Sequence, residues 1–185
     1  PSSSTGSSIL STRRIVVAGL LGAITILLGA TRLMFISVPT PVGDATIGHI
    51  PVILGGVLEG SVVGGILGLL FGIFSFIWAP IPAFKDPLVA VLPRILIGVT
   101  SALAFRGLRR WHEPVAVVVA AAIGSLTNTI GVLGMGVLLG YWPLAAALAV
   151  GASQGVLEAV VAAIIVGAVV LIYRGAAGRA LKADL

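Results

Sequence analysis

Long uninterrupted apolar segments constrain this chain more than any other feature. Residues Ile15–Ile36 form one run of 22 residues, broken only near its end by Arg32, and Val115–Leu126 is continuously apolar or small. An α-helix rises 1.5 Å per residue, so about 20 residues cross the ~30 Å hydrocarbon core of a bilayer. Strands of membrane barrels alternate apolar and polar residues instead. The sequence therefore predicts an all-α integral membrane protein.

Composition and charge agree with this prediction. The chain is 58% hydrophobic and only 9% charged, whereas soluble domains have roughly a quarter of their residues charged. Its net charge of +5 would suggest nucleic acid in a soluble protein, but the basic residues flank apolar segments. The rule that places basic residues on the cytoplasmic side explains this better than a nucleic-acid surface. No cysteine is present, which excludes disulfides and thiolate catalysis.

Six membrane spans are predicted, at 14–36, 45–58, 60–79, 86–105, 114–138 and 144–173. The second has only 14 residues, so it could be tilted, partly re-entrant or fused with the third. Residues 1–13 are Ser-rich and predicted to be a flexible tail, and 174–185 a basic cytoplasmic tail. Residues 14–173 are then a single six-helix substrate-binding domain.

Basic clusters fix the predicted orientation. Eight of the eleven basic residues lie before the first span, after the fourth or after the sixth. Six spans place all three clusters, and hence both termini, on the cytoplasmic side. The clusters are Arg13 and Arg14; Arg106, Arg109 and Arg110; and Arg174, Arg179 and Lys182. The outer loops are then 37–44, 80–85 and 139–143, whose prolines, with Trp78 and Tyr141 nearby, indicate an aromatic belt, a lid over a pocket, or both.

Small residues recur every four positions in two spans. Such stripes let helix backbones approach closely, and packing within the chain is the prediction for both. They comprise Gly60, Gly64, Gly68 and Gly72 in the third span, and Gly151, Gly155, Ala159, Ala163 and Gly167 in the sixth. A shorter patch in the first span, Ala18/Gly22 with Gly19/Ala23, could instead receive a partner protein in the membrane.

Three polar side chains on successive spans share one predicted depth. Arg94, Asn128 and Gln154 each lie eight to ten residues from the outer end of their span, or about 12–15 Å deep. Polar groups are costly in hydrocarbon, so this alignment predicts a binding site in the outer half of the bilayer. Arg94 suits a carboxylate or phosphate. An internal ion pair with Glu158 is an equally good account of its burial.

The neighbouring polar residues have simpler alternatives. Thr127 beside Asn128 could tie helices together, and Arg32 lies near the outer end of the first span. His49 fits a hydrogen-bonded packing residue better than a metal ligand, because the only other histidine lies in a cytoplasmic loop. We nevertheless include all three, with Trp78, Tyr141 and Glu158, among the candidate substrate-binding residues.

Several chemistries are excluded by missing motifs. The chain has no G-x-x-x-x-G-K-[ST] phosphate loop, no H-E-x-x-H and no G-x-S-x-G. It is therefore not predicted to be an enzyme or to use ATP by itself.

Three motifs resemble one family of transport proteins. The segments 47–76 (IGHIPVILGGVLEGSVVGGILGLLFGIFSF), 92–98 (LPRILIG) and 124–134 (GSLTNTIGVLG) resemble the substrate-binding S components of energy-coupling factor (ECF) vitamin transporters. The resemblance covers about residues 14–173, and within the family the pantothenate-type members are most similar.

The resemblance implies a six-helix bundle in a bacterial cytoplasmic membrane that binds a vitamin from outside. It implies a transmembrane T component and two ATPase subunits as partners, with ATP used by those subunits and no cofactor in this chain. The patch Ala18, Gly19, Gly22 and Ala23 would dock onto the T component, although glycine replaces alanine at two positions. The resemblance leaves folate, cobalamin or another vitamin as alternative substrates.

Two other functions compete with that implication. A stand-alone secondary transporter would need an acidic coupling residue near the midplane, for which Glu158 is the candidate, and inverted repeats, which we do not see. A purely structural membrane protein would not need polar residues aligned at one depth.

Overall fold

The computed structural model describes residues 12–36 and 45–183, and its side chains over those ranges except Arg13 and 176–183. Residues 37–44, predicted to form an outer loop, and most of the predicted N-terminal tail lie outside the described residues. So do the side chains of Arg179 and Lys182.

The described chain is a helical bundle with one pair of very short strands. Its elements, in chain order, are α1 (Thr12–Ala30), β1 (Phe35–Ile36), β2 (Ala45–Thr46), α2 (His49–Glu59), α3 (Ser61–Ile77), a 3₁₀ turn (Pro82–Lys85), α4 (Pro87–Ala90), α5 (Leu92–Leu108), α6 (Glu113–Leu138), α7 (Leu144–Val150), a π turn (Gly151–Gly155) and α8 (Val156–Ala183). The last helix thus continues into the segment predicted to be a tail.

The first and second predicted spans, 14–36 and 45–58, are longer than the helices that the structure contains there. Helix α1 ends at Ala30, because Arg32 takes a left-handed backbone conformation with φ of 59° and turns the chain. Phe35 then pairs with Thr46 in an antiparallel ladder, so the next helix begins only after that strand. The second and third helices are not fused. Gly60, at φ of 96°, separates them, a conformation that glycine adopts without strain.

The helices differ in their capacity to cross a membrane. Three stretches, Pro87–Leu108, Glu113–Leu138 and Leu144–Gly175, are long and apolar enough, whereas the three earlier helices are apolar but shorter. Helix α2 is short and lies in the core, where ten of its eleven residues are buried. It contacts α1, α3, α5, α6 and α8.

The glycine stripe of α3 packs within the chain, as predicted. A methyl group on Gly64 would lie 2.8 Å from the Cα of Gly98 on α5, and one on Gly72 would lie 2.8 Å from the Cα of Val91. Gly68 contacts the backbone carbonyl of Arg94. Gly60 does not belong to this contact, since it joins α2 to α3. In the sixth predicted span, Gly155 packs against the Thr129 side chain of α6.

The exterior of the bundle is apolar and one end is basic. Leu103, Ile130 and Ile164 are 56–68% exposed, as expected for surfaces that face lipid rather than water. At one end, Arg14 bonds Glu59 (Nε to Oε2, 3.1 Å) and Arg174 pairs with Glu113. Arg106 and Arg109 line a depression with Arg14. The three predicted basic clusters therefore meet at the same end.

Candidate functional site

A small polar cavity lies toward the end of the bundle opposite the arginine cluster. Its volume is about 50 Å³. It is lined by residues from the β2 strand, the 3₁₀ turn, α5, α6, α7, the π turn and α8, namely Thr46, Phe84, Arg94, Asn128, Thr129, Val132, Leu133, Val150, Gln154, Gly155 and Glu158. The three residues predicted to share one depth are thus brought together, and Glu158 joins them.

A proline positions Arg94 in this cavity. Pro93, in the first turn of α5, has no backbone N–H, so it cannot donate the helical hydrogen bond to the carbonyl of Val89 four residues earlier. That carbonyl instead accepts a hydrogen bond from Nη1 of Arg94 at 2.6 Å. Pro93 therefore interrupts the helix between α4 and α5 and also leaves free the carbonyl that binds the Arg94 guanidinium.

The guanidinium is buried between aromatic rings. Arg94 is 3% exposed, and its Cζ lies 5.5 Å from the ring centre of Phe71 and 5.1 Å from that of Phe84. Rings that face a cation stabilise it electrostatically. Its Nε has no hydrogen-bond partner among the described residues. Arg94 is thus a buried positive charge with donor capacity left for another molecule.

Glu158 does not form the direct ion pair with Arg94 that the sequence left open as the alternative to ligand binding. Over the described ranges, no nitrogen of Arg94 lies within 4.0 Å of the Glu158 carboxylate. Oε1 of Glu158 instead accepts from the backbone N–H of Thr46 at 3.0 Å and from Nε2 of Gln154 at 3.4 Å. The cavity therefore presents a cation and a carboxylate that are not paired directly.

Two amide oxygens in the cavity wall also lack partners. Oδ1 of Asn128 and Oε1 of Gln154 are buried and accept no hydrogen bond from the described residues. Leaving such an atom unsatisfied costs about 1–3 kcal/mol. Gln154 lies in the π turn, a geometry often found at functional sites. These acceptors and the Nε of Arg94 are arranged for a ligand that carries both acceptors and donors.

Other predicted site residues lie outside the cavity lining. The hydroxyl of Thr127 faces Thr100 (Oγ1 to Oγ1, 2.9 Å). His49 is buried in α2 beside the backbone of Thr46, and its hydrogen-bonded packing role stays a prediction. The Cζ of Arg32 stacks 5.3 Å from the ring centre of Trp78.

Tyr141 also lies apart from the cavity, where its hydroxyl donates to Oδ2 of Asp86 at 3.4 Å. Desolvation, followed by the charge of Asp86, raises the pKa of the Tyr141 phenol. This contact joins the 139–143 loop to the start of α4.

Sequence reasoning missed part of the lining. Phe84, Val132, Leu133 and Val150 supply its apolar wall, and Thr129 rather than Thr127 supplies the α6 hydroxyl. In the folded chain Thr129 lies four residues from the buried Ser125 and Leu133, whereas Thr127 lies four residues after the exposed Ile123. These burials are known only from the structure, so the sequence does not distinguish the two threonines.

The apolar exterior and the partly open cavity with its polar side chains define a helical membrane protein of the ligand-binding kind. The model of the family described as "ECF transporter, substrate-specific component" matches residues 13–170. The chain belongs to this family, whose members are substrate-binding subunits of transporters and not enzymes.

A solved structure agrees with the fold. The chain is similar to the S component of a bacterial ECF transporter, with a TM-score of 0.57 and 20% sequence identity over 90% of this chain and 96% of that one. Comparison with curated proteins gives no match.

Proposed function

We propose that this chain binds a small water-soluble vitamin with one carboxylate, best matched by pantothenate, and delivers it to an ATP-driven ECF importer. The observation that carries the proposal is the buried Arg94 guanidinium, whose Nε shares a cavity with oxygens of Asn128 and Gln154, all three without a hydrogen-bond partner in the described part of the chain. An arginine pairs strongly with a carboxylate. The two oxygens would accept hydrogen bonds from the hydroxyl and amide N–H groups of pantothenate.

The cavity also limits the substrate class. The carboxylate of Glu158, which is hydrogen-bonded but not ion-paired with Arg94, repels a second anionic group and so disfavours dicarboxylates such as folate. Pockets that enclose drug-sized ligands measure roughly 300–1,000 Å³, so even a small vitamin requires this 50 Å³ cavity to widen. Cobalamin would require far more.

The proposed topology has six crossings with the basic end in the cytoplasm. Three helices are long enough to cross unaided, and the shorter α1 and α3 flank the buried α2 within the same bundle. The basic residues at one end support the orientation. The cavity would then lie in the outer half of a bacterial cytoplasmic membrane. The T component and two ATPases would supply the nucleotide chemistry that this chain lacks.

Substitution of Arg94 tests the proposal. We expect Arg94→Gln to weaken pantothenate binding about 100-fold or more, because a ligand carboxylate loses its charged partner in a buried setting. Calorimetry in detergent measures this directly. Thr127→Val is the matched control: it changes a polar side chain that lies next to Asn128 but outside the cavity, and should alter affinity less than about threefold.

Panthenol is the matched ligand control, because an alcohol replaces the carboxylate of pantothenate. Wild-type protein should bind it far more weakly. Unaltered pantothenate affinity in Arg94→Gln, or equal affinity for panthenol, would show that Arg94 does not hold a carboxylate. If a vitamin other than pantothenate is retained through purification, mass spectrometry of the denatured sample identifies it and the substrate assignment fails.

A further inference from the structure

A second and larger cavity lies at the basic end of the bundle. Its volume is about 650 Å³, and it is formed where α1, the α2–α3 junction and the end of α5 meet. The charged residues in its wall are Arg14, Glu59, Arg106 and Arg109. The proposed vitamin site lies elsewhere, and of the proposed T-component patch only Ala18 lines this cavity.

The charges in this cavity are not balanced. Glu59 is engaged by Arg14, whose Nε donates to its carboxylate at 3.1 Å and whose Nη2 donates to its backbone carbonyl at 2.7 Å. Arg106 and Arg109 are exposed and have no ionic or hydrogen-bonded partner among the described residues. The cavity therefore offers two guanidinium groups to an anion.

The start of α3 adds to this preference. Gly60 precedes the helix and no side chain caps its first turn, which lies in the cavity wall. Its uncapped N–H groups can donate hydrogen bonds to an anion, phosphate in particular. The C-terminal ends of α2 and α5 lie in the same wall, so the helix dipoles largely offset one another and the preference for an anion rests on the two arginines and these N–H groups.

The remaining wall is apolar and faces outward. Ile15, Val62 and Ile66 line the cavity and are 55–75% exposed. In a membrane protein such side chains contact acyl chains. A ligand that fits both the arginine-lined wall and the apolar wall carries a phosphate group attached to a hydrocarbon chain.

We propose that this cavity binds the phosphate of an anionic phospholipid. Arg106 and Arg109 would contact the headgroup, and the apolar wall formed by Ile15, Val62 and Ile66 would pack along an acyl chain. Native mass spectrometry of the delipidated full chain, titrated with phosphatidylglycerol, tests it. We expect Arg106→Gln/Arg109→Gln to weaken binding about 10- to 30-fold, whereas phosphatidylcholine binds wild type weakly. Arg110→Gln is the matched control, because Arg110 belongs to the same basic cluster but stacks on Trp111 outside the cavity.

Ser61→Asp provides a second variant that should not harm folding. A carboxylate at the first position of α3 favours the helix dipole but repels a phosphate in the cavity, so melting temperature should hold while phosphatidylglycerol binding falls. Phosphatidylglycerol binding by the double variant that equals that of wild type would overturn the proposal. A loss in Arg110→Gln as large as that in the double variant would overturn it in favour of diffuse attraction to the basic cluster. Inorganic phosphate in a parallel titration identifies the source: binding as tight as that of the lipid, lost in the same variants, supports the phosphate site but overturns the lipid assignment.

Discussion

At the scale of single residues, the chain retains a buried charge by combining contacts of different kinds. Arg94 is held by a carbonyl that Pro93 leaves free and by two aromatic rings, none of which neutralises its charge. The nearest carboxylate in the cavity, that of Glu158, is engaged by Thr46 and Gln154. A ligand carboxylate would thus complete the site without displacing an internal ion pair.

Exchange of Glu158 for glutamine tests this arrangement. Glu158→Gln removes a negative charge from the cavity but keeps a side-chain oxygen that can accept from the Thr46 N–H. We expect an anionic vitamin to bind more tightly, by about 3- to 10-fold, because a like charge is removed from its surroundings. Calorimetry provides the measurement. Loss of binding would instead mean that the Glu158 charge itself holds the ligand.

The sequence predicts well which residues come close together. It predicts less well the direction in which each side chain points. Counting residues from the end of each helix predicts one depth for Arg94, Asn128 and Gln154, and the structure places all three in one cavity. Adjacent residues point about 100° apart on a helix, so the choice between Thr127 and Thr129 depends on how α6 is rotated. Several neighbouring elements set that rotation together, and no local pattern around Asn128 encodes it fully.

At the scale of elements, the crossing of α3 and α5 is a backbone contact that admits no side chain. A methyl group on Gly98 would overlap the backbone of Gly64. The four-residue glycine spacing predicts this crossing because small residues are what close packing requires. The π turn and the Val91 interruption are harder to predict, since each depends on tertiary contacts as well as on local sequence.

We expect Gly98→Ala to destabilise the bundle by about 1–3 kcal/mol, because an overpacked contact forces the two backbones apart. Thermal unfolding in detergent measures the change. Gly107→Ala is the matched control in the same helix: a methyl group there meets nothing within 4 Å, so stability should be unchanged or slightly higher. Equal stability of the two variants would contradict the close crossing.

At the scale of the whole molecule, one face of α1 remains open. Gly19 has nothing within 4 Å of the position that a methyl group would occupy, and Leu20 and Ile24 beside it are exposed. In the proposed assembly this face docks onto the T component. Gly19 is therefore a position where bulk can be added without disturbing the bundle or the vitamin cavity.

Gly19→Leu should separate binding from transport. Vitamin affinity should stay within about twofold of wild type, because the substitution is far from the cavity, whereas coupled uptake with the T component and ATPases should fall at least about tenfold. Reconstituted proteoliposomes measure both quantities. Ala168→Leu on the exposed surface of α8 is the control for added bulk. Full uptake by Gly19→Leu would place the docking surface elsewhere.

The contact between Gly68 and the Arg94 carbonyl has a consequence for how such proteins diverge. The backbone of α5 at Arg94 is fixed by this packing, so the point from which residue 94 enters the cavity cannot shift, whereas its side chain can be exchanged. The parts contributed by α6 and the π turn also consist of side chains, such as Asn128, Thr129 and Gln154. New substrate preferences should therefore be acquired by exchanging side chains around a cavity whose α5 backbone stays in place.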